Sequence, residues 1–176
     1  MEQVVPRSAE TSLTAMLRLF TASAALEQRL APTLHSLHDL SFQEFLLLLN
    51  VARAPLGKMR RVDLAAALNV GFSSISHMAD PLEKDGLIER QADKRDARVI
   101  YACITAAGRQ RVDEAQKSVA RLATRLFDER WSDKDVEAFA ARLALAQNLD
   151  VPANIFLGRE LKHRYLGGLI KTMDDR

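Results

Sequence analysis

The stretch DLAAALNVGFSSISHMADPLEKDGLIERQADKRDARVIYACITAAG, from Asp63 to Gly108, contains the pattern that decides the fold. Its first part, DLAAAL, consists of good helix formers, and Gly71 then gives a tight turn into a second helical segment. Apolar residues in that segment recur at steps of three and four, as on one face of a helix. They are Ile75, Met78, Ala79 and Leu82. Two short helices joined by a tight turn predict a helix-turn-helix.

A β-hairpin is predicted directly after the second helix, from the alternating segments LIERQ and RVIYACI. Five of the eight residues from Gln91 to Arg98, between these segments, are charged. They are Asp93, Lys94, Arg95, Asp96 and Arg98. Such a turn is either a solvated tip of mixed charge or a tip that touches an anionic partner. A hairpin in this place makes the motif a winged helix-turn-helix.

Two helices are predicted upstream of this motif. Apolar residues recur from Leu13 to Leu30 at helical spacing, and Pro32 with the following LHSLHD predicts a frayed end of that helix. In SFQEFLLLLNVARAP, Ser41 and Glu44 have the spacing of a capping box. This second helix is apolar nearly all round, which predicts a central position in the core.

Long helices are predicted downstream. Thr105 is the expected N-cap of a helix over residues 106–129, and Ser132 with Asp135 caps the next, which Pro152 ends. The last segment has apolar residues at steps of four, which predicts a short helix with one apolar face. These residues are Leu157, Leu161 and Tyr165. The predicted fold class is therefore mainly α with a small β-hairpin wing.

Length and composition indicate one globular domain of 176 residues, with 48% hydrophobic and 27% charged residues. A formal net charge of +2 does not by itself indicate a nucleic-acid partner. The N-terminus lacks a secretory pattern and no apolar run approaches the length of a membrane span, so a cytoplasmic protein is expected. Phosphate-cradling glycine loops, nucleophile elbows and metal motifs are missing from the sequence, which predicts no enzyme activity, no metal and no cofactor.

The sequence has one cysteine, Cys103, within the second strand of the hairpin. A single cysteine excludes an intramolecular disulfide and a multi-cysteine metal site. It is either a buried structural thiol or a sensor of oxidants, and a sensor requires an exposed thiol with a lowered pKa.

The segments LAAAL, LEKDGLI, DKRDAR and ITAAG, in this order, resemble the core of the MarR family, the multiple-antibiotic-resistance regulators. The resemblance covers Asp63 to Gly108 without a gap, with SFQEFLLLL at the expected distance upstream. It implies a homodimeric, winged helix-turn-helix transcription regulator that binds a pseudo-palindromic double-stranded DNA site. It also implies long N- and C-terminal dimerisation helices. Most such regulators are repressors, and many release DNA on binding a small aromatic or phenolic anion.

The resemblance divides the chain into four parts. An N-terminal dimerisation helix and connector occupies residues 1–40, and the DNA-binding lobe occupies residues 41–104. C-terminal dimerisation helices occupy residues 105–149. The extension over residues 150–176 is expected to pack on the dimer through its apolar face, and a loose basic tail is the alternative.

The resemblance also implies which residues of the second short helix face the DNA. These are Phe72, Ser73, Ser74, Ser76 and His77. The helix has no Arg or Lys between Phe72 and Pro81, so modest base discrimination is expected, helped by DNA shape. Pro81 is expected to bend this helix or to end it early.

In the wing, the resemblance implies that Arg95 reaches into the minor groove, where the negative potential favours arginine. Asp93 would orient the turn by pairing with an arginine, and Lys94 and Arg98 would meet phosphates.

An effector pocket is implied near the junction of the first two helices, where His35 and His38 lie. These histidines either bind an anionic effector or are ordinary loop residues. Two functional alternatives remain open: a winged-helix module for protein–protein assembly, and a regulator that senses oxidants through Cys103.

Overall fold

The computed structural model describes residues 9–127 and 131–147, which form helices around one small antiparallel sheet. The helices are α1 (Ala9–His38), α2 (Phe42–Arg53), α3 (Arg61–Leu68), α4 (Phe72–Lys84), α5 (Ala106–Leu126) and α6 (Asp133–Gln147). The strands are β1 (Lys58–Arg60), β2 (Ile88–Ala92) and β3 (Ile100–Ile104). A 3-10 turn, Pro55–Gly57, joins α2 to β1. The predicted fold class, mainly α with a small wing, is confirmed.

Helix α2 occupies the centre of the core, as its sequence predicts. The Ser41 hydroxyl accepts a hydrogen bond from the Glu44 amide, and the Glu44 carboxylate accepts one from the Ser41 amide, which completes the capping box. The helix contributes Phe45, Leu47, Leu48 and Val51 to the buried core. Residues of α1, α3, α4, β2, β3 and α5 pack around them.

The sheet has the strand order β1-β3-β2, so the prediction of a two-stranded hairpin was incomplete. Strand β1 pairs with β3 in the register Lys58↔Cys103 to Arg60↔Tyr101. Its three residues are too few to show a strand period in the sequence, and its place depends on pairing with β3. The central strand β3 is therefore held on both edges at the base of the wing.

Pro32 and Pro81 lie inside helices that continue past them, so the early end considered for α4 is not observed, while α1 ends within the segment predicted for its end. Helix α1 runs through Pro32 to His38, and α4 runs through Pro81 to Lys84. Each proline is exposed and costs about 3 kcal/mol relative to alanine. Burial of the following residues offsets this cost, because Leu34 and Leu82 are both almost completely buried.

Helix α5 begins at the predicted N-cap. The Thr105 hydroxyl accepts from the Gly108 amide at 3.0 Å and donates to the Gly86 carbonyl at 2.7 Å, which joins α5 to the start of β2. Gly108 is required there, since a Cβ atom on it would lie 1.9 Å from the Leu87 carbonyl oxygen. The helix ends at Leu126, three residues before the predicted end.

Helix α6 follows a cap in which Ser132 and Asp135 hydrogen-bond to each other's backbone amides, as predicted. Phe127, Trp131 and Phe139 form a cluster of edge-to-face and tilted rings between α5 and α6. The predicted helix with Leu157, Leu161 and Tyr165 lies outside the described residues. No helix in the described ranges combines the length and hydropathy that a membrane span needs.

Candidate nucleic-acid interface

The second helix of the helix-turn-helix, α4, presents a polar face away from the core. Ile75, Ala79 and Leu82 are buried and fix the opposite face. Of the five residues predicted to face DNA, four are exposed and one is half-buried. The exposed residues are Phe72, Ser73, Ser74 and His77, and the half-buried residue is Ser76. The N-terminal half of α4 is thus available to a partner, as in helix-turn-helix recognition helices.

This face carries little charge. Gly71 caps α4 without a side-chain hydrogen bond, so the first amides of the helix have no side-chain acceptor at the cap. Ser73 and His77 stand one turn apart on the same face, and Asp80 continues the row. Hydroxyl and imidazole groups and a carboxylate can hydrogen-bond base edges, but none forms the bidentate hydrogen bonds that arginine makes with guanine.

The wing tip is organised by its carboxylates. One oxygen of Asp93 accepts from the backbone amides of Arg95 at 2.8 Å and Asp96 at 3.3 Å. These bonds hold the turn between β2 and β3 in one shape. Within residues 9–127 and 131–147, no carboxylate forms an ion pair with Lys94 or Arg95, and both are exposed. The turn therefore points two free cations outward.

The expected pairing of Asp93 with an arginine is not observed. Arg98 pairs with Asp96 instead, with its Nε 3.1 Å from the Asp96 Oδ1. The Asp93 carboxylate accepts hydrogen bonds from backbone amides. A carboxylate two residues before an amide reaches it easily as an Asx turn, and this local contact prevails over the longer arginine side chain. The Arg98 side chain is 92% exposed, so its pair with Asp96 can exchange with an outside anion.

The electrostatics of the tip agree with this geometry. The backbone hydrogen bonds from Arg95 and Asp96 hold the pKa of Asp93 below its ordinary value of 3.8. A hydrogen bond from Tyr101 and the charge of Lys58 contribute further to this lowering. Asp93 is therefore charged at neutral pH, and the turn that presents Lys94 and Arg95 is formed there.

A buried ion pair that was not predicted from the sequence joins α3 to α4. Arg61, at the first position of α3, is 5% exposed and donates through Nη2 to the Glu83 carboxylate in the last turn of α4. A positive charge at a helix N-terminus is unfavourable on its own, and Glu83 neutralises it. The two residues are 22 positions apart, so no local sequence pattern signals the pair.

The two histidines of the expected effector pocket differ in exposure. Both lie in the last turn of α1, where His35 is exposed and His38 is 7% exposed. The His38 Nε2 lies 2.9 Å from the Ser118 hydroxyl of α5, and Arg121 donates to the same hydroxyl. The buried Nδ1 of His38 has no hydrogen-bond partner among the described residues.

Cys103 is partly buried in β3, with its sulfur 3.7 Å from the Gln91 side-chain oxygen. Burial is the main effect that raises the pKa of this thiol above its ordinary value, against a smaller opposing effect of Lys58. The thiol is therefore protonated at neutral pH, which is the opposite of what an oxidant sensor requires.

The comparison with family models gives one match within this geometry. Residues 40–100 match the MarR family. This segment is similar to a MarR family domain. The match begins just before α2 and ends in β3, so it contains both helices of the helix-turn-helix and the turn of the wing.

Several solved structures share the fold over most of the chain. Sco3205 of Streptomyces coelicolor, a MarR family regulator in complex with DNA, has a TM-score of 0.72 at 20% identity, covering 90% of this chain and 98% of its own. The regulator BldR of Sulfolobus solfataricus has a TM-score of 0.70 at 22% identity, covering 81% and 99%. NadR, in complex with 4-hydroxyphenylacetate, has a TM-score of 0.66 at 20% identity, covering 85% and 100%. No curated protein is similar enough to this chain to match it.

Proposed function

We propose that this protein is a MarR family regulator of transcription that binds specific double-stranded DNA sequences as a homodimer. The observation that carries the proposal is the wing tip, where carboxylate–backbone bonds present Lys94 and Arg95 as free cations. Cations that are not paired within the protein are the groups that displace counterions from DNA phosphates. Sco3205, which shares the fold, was solved with DNA bound.

In this proposal α4 enters the major groove and the wing follows the backbone into the minor groove. Ser73, Ser74 and His77 contact base edges or phosphates, while Phe72 and Ser76 lie at the edges of the contact. In the wing, Arg95 enters the minor groove and Lys94 and Arg98 contact phosphates. Because α4 lacks an arginine on this face, shape and deformability of the DNA contribute much of the specificity.

The proposed homodimer is supported by apolar side chains that α1 leaves uncovered. Five large apolar residues in its first half are between 46% and 67% exposed. They are Leu13, Met16, Leu17, Leu19 and Phe20. A contiguous exposed apolar stripe on a helix is typical of an association surface. We propose that residues 1–40 and 105–149 form the dimer interface around residues 41–104, and that residues 150–176 pack on it.

We further propose that the protein is a repressor that a small aromatic or phenolic anion releases from DNA. NadR, which shares the fold, was solved with a ligand of this class. The proposed pocket is near the end of α1, where His35 is exposed and the buried Nδ1 of His38 has no hydrogen-bond partner among the described residues. Ligand and DNA should then weaken each other's binding by the same factor.

The experiment begins with selection of bound duplexes from a random pool. On the best duplex, Arg95→Ala should weaken binding by roughly 1–3 kcal/mol, the range for one good groove contact. Lys94→Ala, which removes a proposed phosphate contact, should lower the slope of log affinity against log salt by about 1. Lys117→Ala is the matched control, because it removes one positive charge from an exposed site on α5.

Equal affinities for wild type and Arg95→Ala, with the same salt slope, would show that the tip is only a solvated turn. If the wild-type protein binds no duplex, or binds duplex with an affinity that does not fall with salt, an assembly module becomes the better account of the fold.

A further inference from the structure

One face of the sheet packs on the core through Ile88 and Ala102, which are almost completely buried, and the other face is polar. The alternate residues of the three strands that form this polar face are Lys58, Arg60, Glu89, Gln91, Tyr101 and Cys103. Tyr101 is in the central strand β3, opposite Arg60 of β1 and Gln91 of β2. The sheet therefore places the Tyr101 ring between β1 and the strand that leads to the wing tip.

Two contacts of Tyr101 extend along the polar face in opposite directions. On one side, the Lys58 Nζ lies 5.1 Å from the centroid of the ring, at the distance of a cation–π contact. On the other side, the Tyr101 hydroxyl donates a hydrogen bond to the Asp93 carboxylate. The backbone amide of Asp93 donates to the Val99 carbonyl at 2.9 Å, which continues the ladder past the end of β2. Asp93 is two residues beyond Gln91, so its side chain is on the polar face and diagonal to Tyr101, within reach of an aromatic side chain.

The Asp93 carboxylate is therefore held from two directions. One of its oxygens accepts from the backbone amides of Arg95 and Asp96, at 2.8 and 3.3 Å. These bonds join residues of the turn to each other, so they fix its shape but not its direction relative to the sheet. The hydrogen bond from Tyr101 joins the same carboxylate to the central strand. It is therefore the contact that can fix the direction of the turn.

We propose that Tyr101 is a positioning residue for the wing. Its hydrogen bond to Asp93 sets the direction of the turn, and so the direction in which the two cations Lys94 and Arg95 point. Lys58 keeps the ring in place through the cation–π contact. This role deepens the proposed function and rests on it for the effect on DNA affinity, whereas the effect on the turn can be measured in the free protein.

The first test replaces Tyr101 by Phe in the full-length, DNA-free protein. The variant keeps the ring and its contact with Lys58 but loses the hydroxyl group. The backbone amides of Arg95 and Asp96 remain the main cause of the lowered pKa of Asp93, and loss of the Tyr101 donor should raise this pKa part of the way towards 3.8. NMR titration of the Asp93 carboxyl carbon measures this change. The amides of Arg95 and Asp96 should shift, while those of α2 should keep their wild-type positions.

Tyr165→Phe is the matched control, because it removes the same hydroxyl group from the other tyrosine of the chain. It should leave the Asp93 titration and the amides of the turn unchanged. A second variant, Lys58→Met, decides the matter if Tyr101→Phe does not fold. It removes a charge that acts on Asp93 and should also raise the pKa of that carboxyl. Lys117→Met, the same change on the exposed face of α5, should not.

The second test measures binding of Tyr101→Phe to the selected duplex. Binding should weaken about threefold to tenfold, the effect of one hydrogen bond, because the turn must then be oriented when DNA binds. The slope of log affinity against log salt should stay at its wild-type value, since no phosphate contact is removed. Lys94→Ala should lower that slope, so the two variants separate a positioning residue from a residue that contacts phosphate.

An unchanged Asp93 titration in Tyr101→Phe overturns the proposal. Amide shifts that spread through α2 also overturn it, because the Tyr101 side chain would then serve only packing. Wild-type duplex affinity in a variant whose turn has changed, or a lower salt slope, would show that Tyr101 does not act by positioning. If the wild-type protein binds no duplex, the proposed function fails, while a changed turn in Tyr101→Phe still supports the role of Tyr101 in the wing.

Discussion

Replacing Glu83 by Gln should test whether its buried ion pair with Arg61 fixes the position of the recognition helix α4. The substitution keeps the size of the side chain but removes its charge, which leaves the Arg61 guanidinium nearly buried and uncompensated. The side chains are 6% exposed for Arg61 and 25% exposed for Glu83. Breaking a buried pair in this way costs 3–5 kcal/mol, and the partial exposure of Glu83 places the expected loss at about 3 kcal/mol.

The loss can be measured by urea and thermal unfolding. At 2–4 °C per kcal/mol for a chain of this size, about 3 kcal/mol corresponds to a melting temperature lower by about 6–12 °C. The matched control is Asp63→Asn, which breaks the neighbouring pair with Arg60, whose side chains are 49% and 39% exposed. That control should cost no more than about 1 kcal/mol.

A double variant separates the pair from the packing around it. Replacing Arg61 by Met and Glu83 by Leu removes both charges and should restore most of the lost stability. On the selected duplex, Glu83→Gln should lose more specific than non-specific affinity, since the pair orients α4. A melting temperature within the error of wild type in Glu83→Gln would refute this reasoning.

Three further results are expected. Gly108→Ala should destabilise by roughly 1–3 kcal/mol in urea unfolding, because its Cβ would meet the Leu87 carbonyl oxygen at 1.9 Å, and an unchanged midpoint would contradict the packing. The pKa of Asp93 is lowered, so the stabilising effect of its carboxylate is fully present above pH 3.8 and is lost as the pH falls through the lower pKa of the folded protein. The Arg95 amide resonance should therefore titrate with a midpoint below pH 3.8. A midpoint at or above pH 3.8 would contradict this. Because the pKa of Cys103 is raised, iodoacetamide at pH 7 should react more slowly with folded than with urea-unfolded protein, and equal rates would reopen the oxidant-sensor alternative.

Local sequence patterns predicted most of the fold. The capping residues Ser41, Thr105 and Ser132 mark helix starts where the structure has them, because a cap is a contact within three residues. The helical spacing in α4 identified its buried face for the same reason. The early end considered for α4 at Pro81 was wrong, because the cost of a proline is local while the burial of Leu82 that offsets it is tertiary.

The candidate site also has features that local sequence patterns identify and features that depend on tertiary contacts. The charged turn and the exposed face of α4 were identified from the sequence, but the pairing of Asp93 with an arginine was wrong. The pair of Arg61 with Glu83 and the contact of Lys58 with Tyr101 could not be predicted. Both bring together residues far apart in the chain, and neither leaves a periodic or spaced pattern in the sequence.

Pro32 divides α1 into two arms with different attachments. The arm after it carries the buried Leu34 and contacts α5 through His38 and Ser118, whereas the arm before it carries the uncovered apolar stripe. Proline removes the backbone bond to the Gln28 carbonyl, so we expect bending of α1 to be concentrated at this point. The arm from Ala9 to Pro32 is about 35 Å long, and a change of about 5° in the bend displaces its far end by about 3 Å. That displacement is close to the rise of one base pair, about 3.4 Å. In the proposed dimer, this proline would act as a mechanical joint between the two recognition helices. A small change in its bend would change their separation by a distance comparable to the rise of one base pair.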